Sequence, residues 1–255
     1  AEWQIDSAAL GLVLSMELIG MAVGSLVLGN LADRFGRRPT ILLCLSVMVV
    51  GMYLAAIANN IVNLSVIRFV TGLGIGGLLA AVNAMVAEQA NRRYRHMAVT
   101  LMALGYPLGA ILGGTIASIL LVNFDWRSVF VFGALATLTL IPLTWFLLQE
   151  SVEYLTQKRP TEALGKINNI LSRMGHQAVD RLPELMPEQS RTGISELFSP
   201  ALIRITLLLT ITYFAHMLTF YFVLKWIPKI VVDMGFVASA AGAVLVWANV
   251  GGALG

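Results

Sequence analysis

Three groups of residues in this chain have side chains and spacings suited to chemistry. The densest is Gly29-Asn30-Leu31-Ala32-Asp33-Arg34-Phe35-Gly36-Arg37-Arg38-Pro39, a charged turn between two apolar runs. Gly36 permits a tight turn with positive φ. Asp33 stands at a helix end, where it can pair with arginines or with a helix N-terminus. Arg34, Arg37 and Arg38 suit carboxylates or lipid phosphates. The second group is a pair of isolated charges inside apolar runs, Glu17 and Arg68. A lone carboxylate in lipid tends to stay protonated. Glu17 therefore reads either as a proton carrier or cavity-lining acceptor, or as a structural helix–helix hydrogen bond. Arg68 either faces a cavity or a partner, or snorkels to the interface about one turn away. The third group is Tyr213, His216, Thr219, Tyr221, Lys225, Trp226 and Pro228, a polar and aromatic set within and beyond one apolar run.

Other chemistries lack their residues. The glycines at 72, 74, 76 and 77 are preceded by no strand and followed by no Lys-Ser/Thr, so they do not form a phosphate loop. No His/Cys/Asp/Glu cluster has metal-ligand spacing, and there is no nucleophile elbow. The sequence implies no enzyme activity, cofactor or metal. A net charge of +3 does not suggest nucleic acid. The single cysteine, Cys44, forms no intrachain disulfide.

The elements that must position these groups are membrane helices. The 255 residues are 58% hydrophobic and only 12% charged, with mean hydropathy +0.81. Soluble domains carry about 25% charge, so lipid must be the solvent here. A bilayer core of about 30 Å needs about 20 helical residues. Six runs qualify, at Ala9–Leu31, Thr40–Ala58, Leu64–Ala87, Met97–Leu121, Val129–Leu148 and Ile203–Leu224, and a further one, Ala238–Gly255, is cut short. Helix is the open-chain solution in lipid, because each backbone amide must be paired within its segment. The expected fold is an all-α transmembrane bundle, incomplete in this chain.

Charge orients it. Arg34, Arg37 and Arg38 follow the first span, Arg92, Arg93 and Arg95 the third, and seven more basic residues from Lys158 to Arg204 the fifth. The positive-inside rule puts the loops after 31, 87 and 148 in the cytoplasm. The segment 149–202 reads as a cytoplasmic loop. One short helix is expected at Ser151–Gln157, and a second after Pro160 with Leu164, Ile167, Leu171 and Met174 at helical spacing. Pro183, Pro187 and Gly193 read as linker. The expected domains are thus 1–148, a transmembrane half lacking its first helix, the loop 149–202, and 203–255, the start of a second half.

That division rests partly on a repeat. Shifted by 231 residues, Ala9, Gly11, Val13, Leu14, Gly20, Ala22 and Gly24 fall on Ala240, Gly242, Val244, Leu245, Gly251, Ala253 and Gly255. Both spans enter from the same side, as parallel repeats of transporters do. The expectation is a fragment of a protein of roughly twelve spans, a monomer when full length, with a partner copy of the charged turn beyond Gly255.

Four motifs in order then resemble the major facilitator superfamily of secondary transporters. They are the turn Gly29–Arg38, Arg68-x-x-x-Gly72-x-Gly74, Gly105-Tyr106-Pro107-x-Gly109-x-x-x-Gly113-Gly114, and Trp126-Arg127-x-x-Phe130. The resemblance covers helices two to eight of that fold. One departure is Gln149-Glu150-Ser151, where many relatives have Pro-Glu-Ser or Pro-Glu-Thr. The resemblance implies a gate built from Gly29, Asp33, Arg34, Gly36, Arg37 and Arg38, with Glu88 and Arg95 as partners. It implies proton coupling through Arg68, by tuning a nearby carboxylate, with Glu17 a separate candidate for the same process, and a hinge at Gly105, Pro107, Gly109 and Gly113. It places Asn83, Tyr213, His216, Tyr221 and Lys225 towards a central substrate cavity, although Lys225 and Trp226 equally suit an interfacial belt. Within the superfamily the chain is most similar to aromatic acid:proton symporters, through Glu196-Leu-Phe-Ser-Pro200 and the run Tyr221–Lys229. The implied partners are protons, an organic anion and the lipid bilayer of a bacterial inner membrane. A sugar or drug transporter, or a membrane sensor, is the alternative.

Overall fold

A computed structural model describes residues 7–91, 93–182 and 194–254. The expected linker residues Pro183, Pro187 and Gly193, together with Arg92, Arg191 and Gly255, lie outside the described residues. The described residues form helices and connecting turns, with no strand among them. In chain order the helices are α1 (Ser7–Phe35), α2 (Arg37–Ala56), α3 (Ile61–Gln89), α4 (Arg95–Asn123), α5 (Arg127–Leu147), α6 (Val152–Lys158), α7 (Ala163–Arg173), α8 (Ile203–Asp233) and α9 (Ala238–Leu254). Six of them, α1 to α5 and α8, are long and apolar enough to cross a membrane.

The long helices overrun the spans read from hydropathy. Helix α8 continues nine residues past Leu224 and takes in Lys225, Trp226 and Pro228. Hydropathy stops at the first polar residues, whereas the backbone stays helical through the headgroup layer until a turn can satisfy its carbonyls. The turn between α1 and α2 shrinks accordingly to Gly36 alone, at φ 114°. Two other starts are capped by side chains: Asn60 accepts from the Asn63 amide and Ser151 from the Tyr154 amide. Gly175, at φ 76°, ends α7 while the His176 amide returns to the Leu171 carbonyl.

The chain divides into two compact units, Ala1–Gly109 with Ile119–Leu182, and Ala110–Ser118 with Pro183–Gly255. In the first, α1 lies along α3, α3 along α2, and α2 along α5. Glycines set the α1–α3 approach. A Cβ on Gly20 would collide with the Phe69 carbonyl and stand 3.1 Å from the Gly72 Cα, and one on Gly72 would collide with the Glu17 carbonyl. Gly24 and Gly76 repeat this one turn further on, against Leu73 and Met21. The glycine cluster after Arg68 is therefore a packing surface for close helix contact. Ala32, Ile41, Leu45, Ala81 and Met85 make the core at the arginine-rich end. The hairpin of α6 and α7 has its own small core of Leu155, Ile167 and Ile170. Its buried stripe on α7 is Ala163, Ile167 and Ile170, with Met174 exposed, so the stripe is rotated from the one expected. The helix begins at Ala163 and stops at Arg173, short of Met174.

In the second unit α8 packs on α9, and the Thr206 hydroxyl ties the start of α8 to the Leu197 carbonyl in a short 3-10 turn. Helices α4 and α8 bury no residue.

Candidate functional site

Two charged sites form in the first unit, at opposite ends of the same helices. At the arginine-rich end, Gly36 lets α2 start immediately after α1. Arg37 then lies one turn from Asp33 and bonds it at 2.9 Å. Its guanidinium also reaches Glu88 at the end of α3, 2.6 Å from Nη2 and 3.1 Å from Nε, and donates to the Ala32 carbonyl. Arg37 and Glu88 are largely buried, while Asp33 is 67% exposed. The strong half of this triad is thus Arg37–Glu88, a fork-like contact in a low-dielectric setting.

A carboxylate that sequence reading did not place in the site completes it. Glu150 Oε1 accepts from the backbone amides of Arg37 at 2.9 Å and Ser151 at 2.9 Å, and from Arg38 at 3.3 Å. It caps the start of α2, where free amides and the helix dipole favour an anion. Its oxygen fills the space a side chain on Gly36 would need. The signal was present in Gln149-Glu150-Ser151, which keeps the acid while lacking the proline. Tyr154 adds a roof. Its ring lies 5.8 Å from the Arg37 guanidinium and its hydroxyl donates to the Arg34 carbonyl at 3.3 Å. Burial, and then the Glu150 charge, hold the Tyr154 phenol above its usual pKa, so it remains a donor.

The other expected members behave differently. Arg34 is exposed over the Phe35 ring. Arg38 turns to α5, donating to the Trp145 carbonyl and lying 5.3 Å from the Trp145 ring. Gly29 packs at 3.5 Å from Ala80 through the position of its missing Cβ. Arg95 does not join the cluster: it opens α4, is exposed, and makes no ion pair among the described residues. The physical reason is that α4 makes no substantial packing contact with α1, α2 or α3.

Towards the opposite end, Arg68 Nη2 meets Glu17 Oε2 at 2.5 Å between α3 and α1. Both side chains are largely buried, at 16% and 10% exposure, and the guanidinium lies 5.6 Å from the Phe130 ring. Two motifs that are separate in sequence, around Arg68 and around Trp126–Phe130, therefore converge. Because α3 starts at Ile61, Arg68 is two turns inside the helix, with Glu17 as its partner. Trp126 stacks edge-on to Phe130 at 5.8 Å, and Arg127 reaches the Ala58 carbonyl at 3.4 Å.

The expected substrate residues fall in both units. Asn83, on α3, is exposed and its amide donates to the Leu79 carbonyl. In the second unit Tyr213 and His216 are exposed on α8, while Tyr221 and Lys225 are half-buried. His216 stacks with Phe220, 6.3 Å between rings, and Phe220 meets Tyr221 edge-on at 5.5 Å. Phe220 is an addition to the expected set, legible as the i+4 neighbour of His216. Helix α4, which carries the expected hinge residues, runs unbroken through Pro107, and nothing lies within 4 Å of where side chains on Gly105, Gly109 or Gly113 would begin. A cavity of about 430 Å³ opens between α2, α3 and α5 near the arginine-rich end. It is lined by Ile41, Leu78, Val82 and Leu143, with Gln89 and Thr144 its polar side chains, so it suits apolar matter rather than a carboxylate.

Comparison with known proteins adds context. The Major Facilitator Superfamily model matches residues 1–255. A "4-hydroxybenzoate transporter PcaK" of Acinetobacter baylyi is 36% identical over 92% of this chain and 52% of its own length. A "Gallate transporter" of Pseudomonas putida is 32% identical over 100% of this chain and 57% of its own length. The chain thus spans about half the length of these relatives. Among solved structures, the xylose transporter XylE from Escherichia coli in a partially occluded inward-open conformation aligns with a TM-score of 0.72. At 17% identity, over 97% of this chain and 60% of XylE, that similarity speaks to fold.

Proposed function

The chain belongs to the major facilitator superfamily, and from that premise we propose that it serves the alternating-access transport of a small aromatic carboxylate together with protons across a bacterial inner membrane. The observation that carries this reading is the buried Glu17–Arg68 pair, in a chain whose relatives are named for 4-hydroxybenzoate and gallate. An ion pair held between two membrane helices is costly to desolvate and stands where a proton can be exchanged for a salt bridge. Protonation of Glu17 releases its hold on Arg68, which ties proton uptake to a rearrangement of α1 against α3.

The remaining residues take roles around that pair. Asp33, Arg37, Glu88 and Glu150 form a latch at the arginine-rich end, which the positive-inside rule assigns to the cytoplasm. The glycines and proline of α4 supply the compliant helix. His216, Tyr221 and Lys225 on α8 meet the substrate ring and carboxylate.

The test is uptake of labelled benzoate-type acids into vesicles carrying the protein, with and without a pH gradient. Accumulation driven by an inward proton gradient, competed by other aromatic carboxylates, is the expected result. Flux of a sugar or an uncharged drug in its place overturns the substrate class. Ligand binding with no flux at all overturns transport in favour of a membrane sensor.

A further inference from the structure

Arg38, like Arg34, has no acidic side chain on its guanidinium among the described residues, but unlike the exposed Arg34 it is half-buried. Arg37 beside it is saturated by Asp33 and Glu88, whereas the Arg38 guanidinium contacts only Trp145, through that residue's carbonyl and ring. Among the described residues it makes no ion pair. A guanidinium has five N–H donors, so most of its bonding capacity is uncommitted. One of its groups, Nε–H, is buried with no acceptor at all. Arg38 lies in the first turn of one candidate membrane span and Trp145 near the last turn of another, so the pair sits at the headgroup level of a bilayer.

An apolar track leads away from it. Leu135, Leu138, Pro142 and Trp145 recur at intervals of three and four residues on α5, which puts them on one face. Leu135 is 57%, Leu138 48% and Trp145 57% exposed. The track is about 15 Å long at the helical rise. That equals the hydrocarbon depth of one leaflet, half of the bilayer's roughly 30 Å. Leu42, one turn along α2 from Arg38, lies on the same side of α2 as Arg38.

We propose that Arg38 and Trp145 form the seat of one anionic phospholipid, with its phosphate on the Arg38 guanidinium and an acyl chain along the Leu135–Trp145 track. Charge complementarity selects the occupant: an uncommitted cation beside an apolar face one leaflet deep fits an anionic headgroup with a chain attached. The site rests on membrane placement alone and stands whether or not the chain transports an aromatic acid.

The experiment offers the purified protein equal amounts of phosphatidylglycerol and phosphatidylcholine and counts retained lipid by native mass spectrometry. Wild type should retain phosphatidylglycerol preferentially. Arg38→Gln should lower that retention about fivefold, the effect of one basic residue at an anionic membrane surface. Arg173→Gln, the same charge change on the exposed end of α7, should stay within about twofold of wild type if the effect is not a general charge effect. Trp145→Leu leaves every charge in place and should also lower retention, so it carries the test if Arg38→Gln does not fold. Retention in Arg38→Gln equal to wild type, or an equal fall in Arg173→Gln, overturns the site.

Discussion

Arg68 of α3 holds Glu17 of α1 at 2.5 Å, with both side chains largely out of solvent. Removing one partner of a buried pair leaves an uncompensated charge, at a cost of about 3–5 kcal/mol. Glu17→Gln should therefore lower the thermal stability of the purified protein by that order. The double variant Glu17→Gln/Arg68→Gln should recover most of the loss, because neither charge is then stranded. In vesicles, Glu17→Gln should flatten the response of uptake to a pH gradient. An unchanged pH response with lowered stability would leave the pair a structural one.

The glycine contacts between α1 and α3 predict a sharp contrast with those of α4. A Cβ on Gly72 or Gly76 runs into a backbone carbonyl, which no side-chain rotation relieves. Gly72→Ala and Gly76→Ala should each cost about 1–3 kcal/mol of stability through overpacking. Gly109→Ala meets nothing within 4 Å and should change stability by under about 0.5 kcal/mol. Melting temperatures of the three variants decide the matter, and an equal loss in all three would contradict the packing described.

Within the cluster at the other end, burial ranks the acids. Glu88 is 13% exposed and Asp33 67% exposed on the same guanidinium. Glu88→Gln should cost about 3 kcal/mol as a broken buried pair. Asp33→Asn should cost under about 1 kcal/mol, as exposed pairs do. If Asp33→Asn nevertheless slows uptake while the protein inserts and melts normally, the latch role gains direct support.

Glu150 supports three backbone amides at once. Glu150→Gln keeps the shape but weakens charge-assisted bonds, at an expected cost of about 1–2 kcal/mol. Hydrogen exchange should show it locally, as faster exchange of the Arg37 and Arg38 amides with the middle of α2 unaffected.

The sequence made the helices legible because lipid imposes length and apolarity, and the arginine distribution marked one end of them. The charges that matter were also visible as charges. Their pairings were legible only in part: the resemblance implied Glu88 as a partner of the turn, but nothing in the sequence joined Glu17 to Arg68. Glu17 and Arg68 lie 51 residues apart, and only the close approach allowed by Gly20 and Gly72 brings them together. Arg95 fits the cluster by type, yet it is exposed and makes no ion pair among the described residues. Glu150 was overlooked because its work is done on backbone amides, which carry no side-chain signature. The stripe of α7 was misplaced because Leu164 and Met174 match helical spacing as well as Ala163 and Ile170 do, and only the packing against Leu155 chooses between them.

One consequence of the Glu150 cap concerns time. The amide of Arg37 waits for an acceptor 113 residues further along the chain. At ribosomal speeds of about 5–20 residues per second, that interval is on the order of ten seconds. Throughout it, the first turn of α2 is threaded into the bilayer with its amides bonded to water or headgroups. The turn after α5, which carries Glu150, then seals an end that the earlier helices left open. Assembly of this bundle is therefore not simply sequential: its second helix is finished by the turn that follows its fifth, and a ribosome stalled before that turn should leave α2 frayed where the finished protein is most tightly tied.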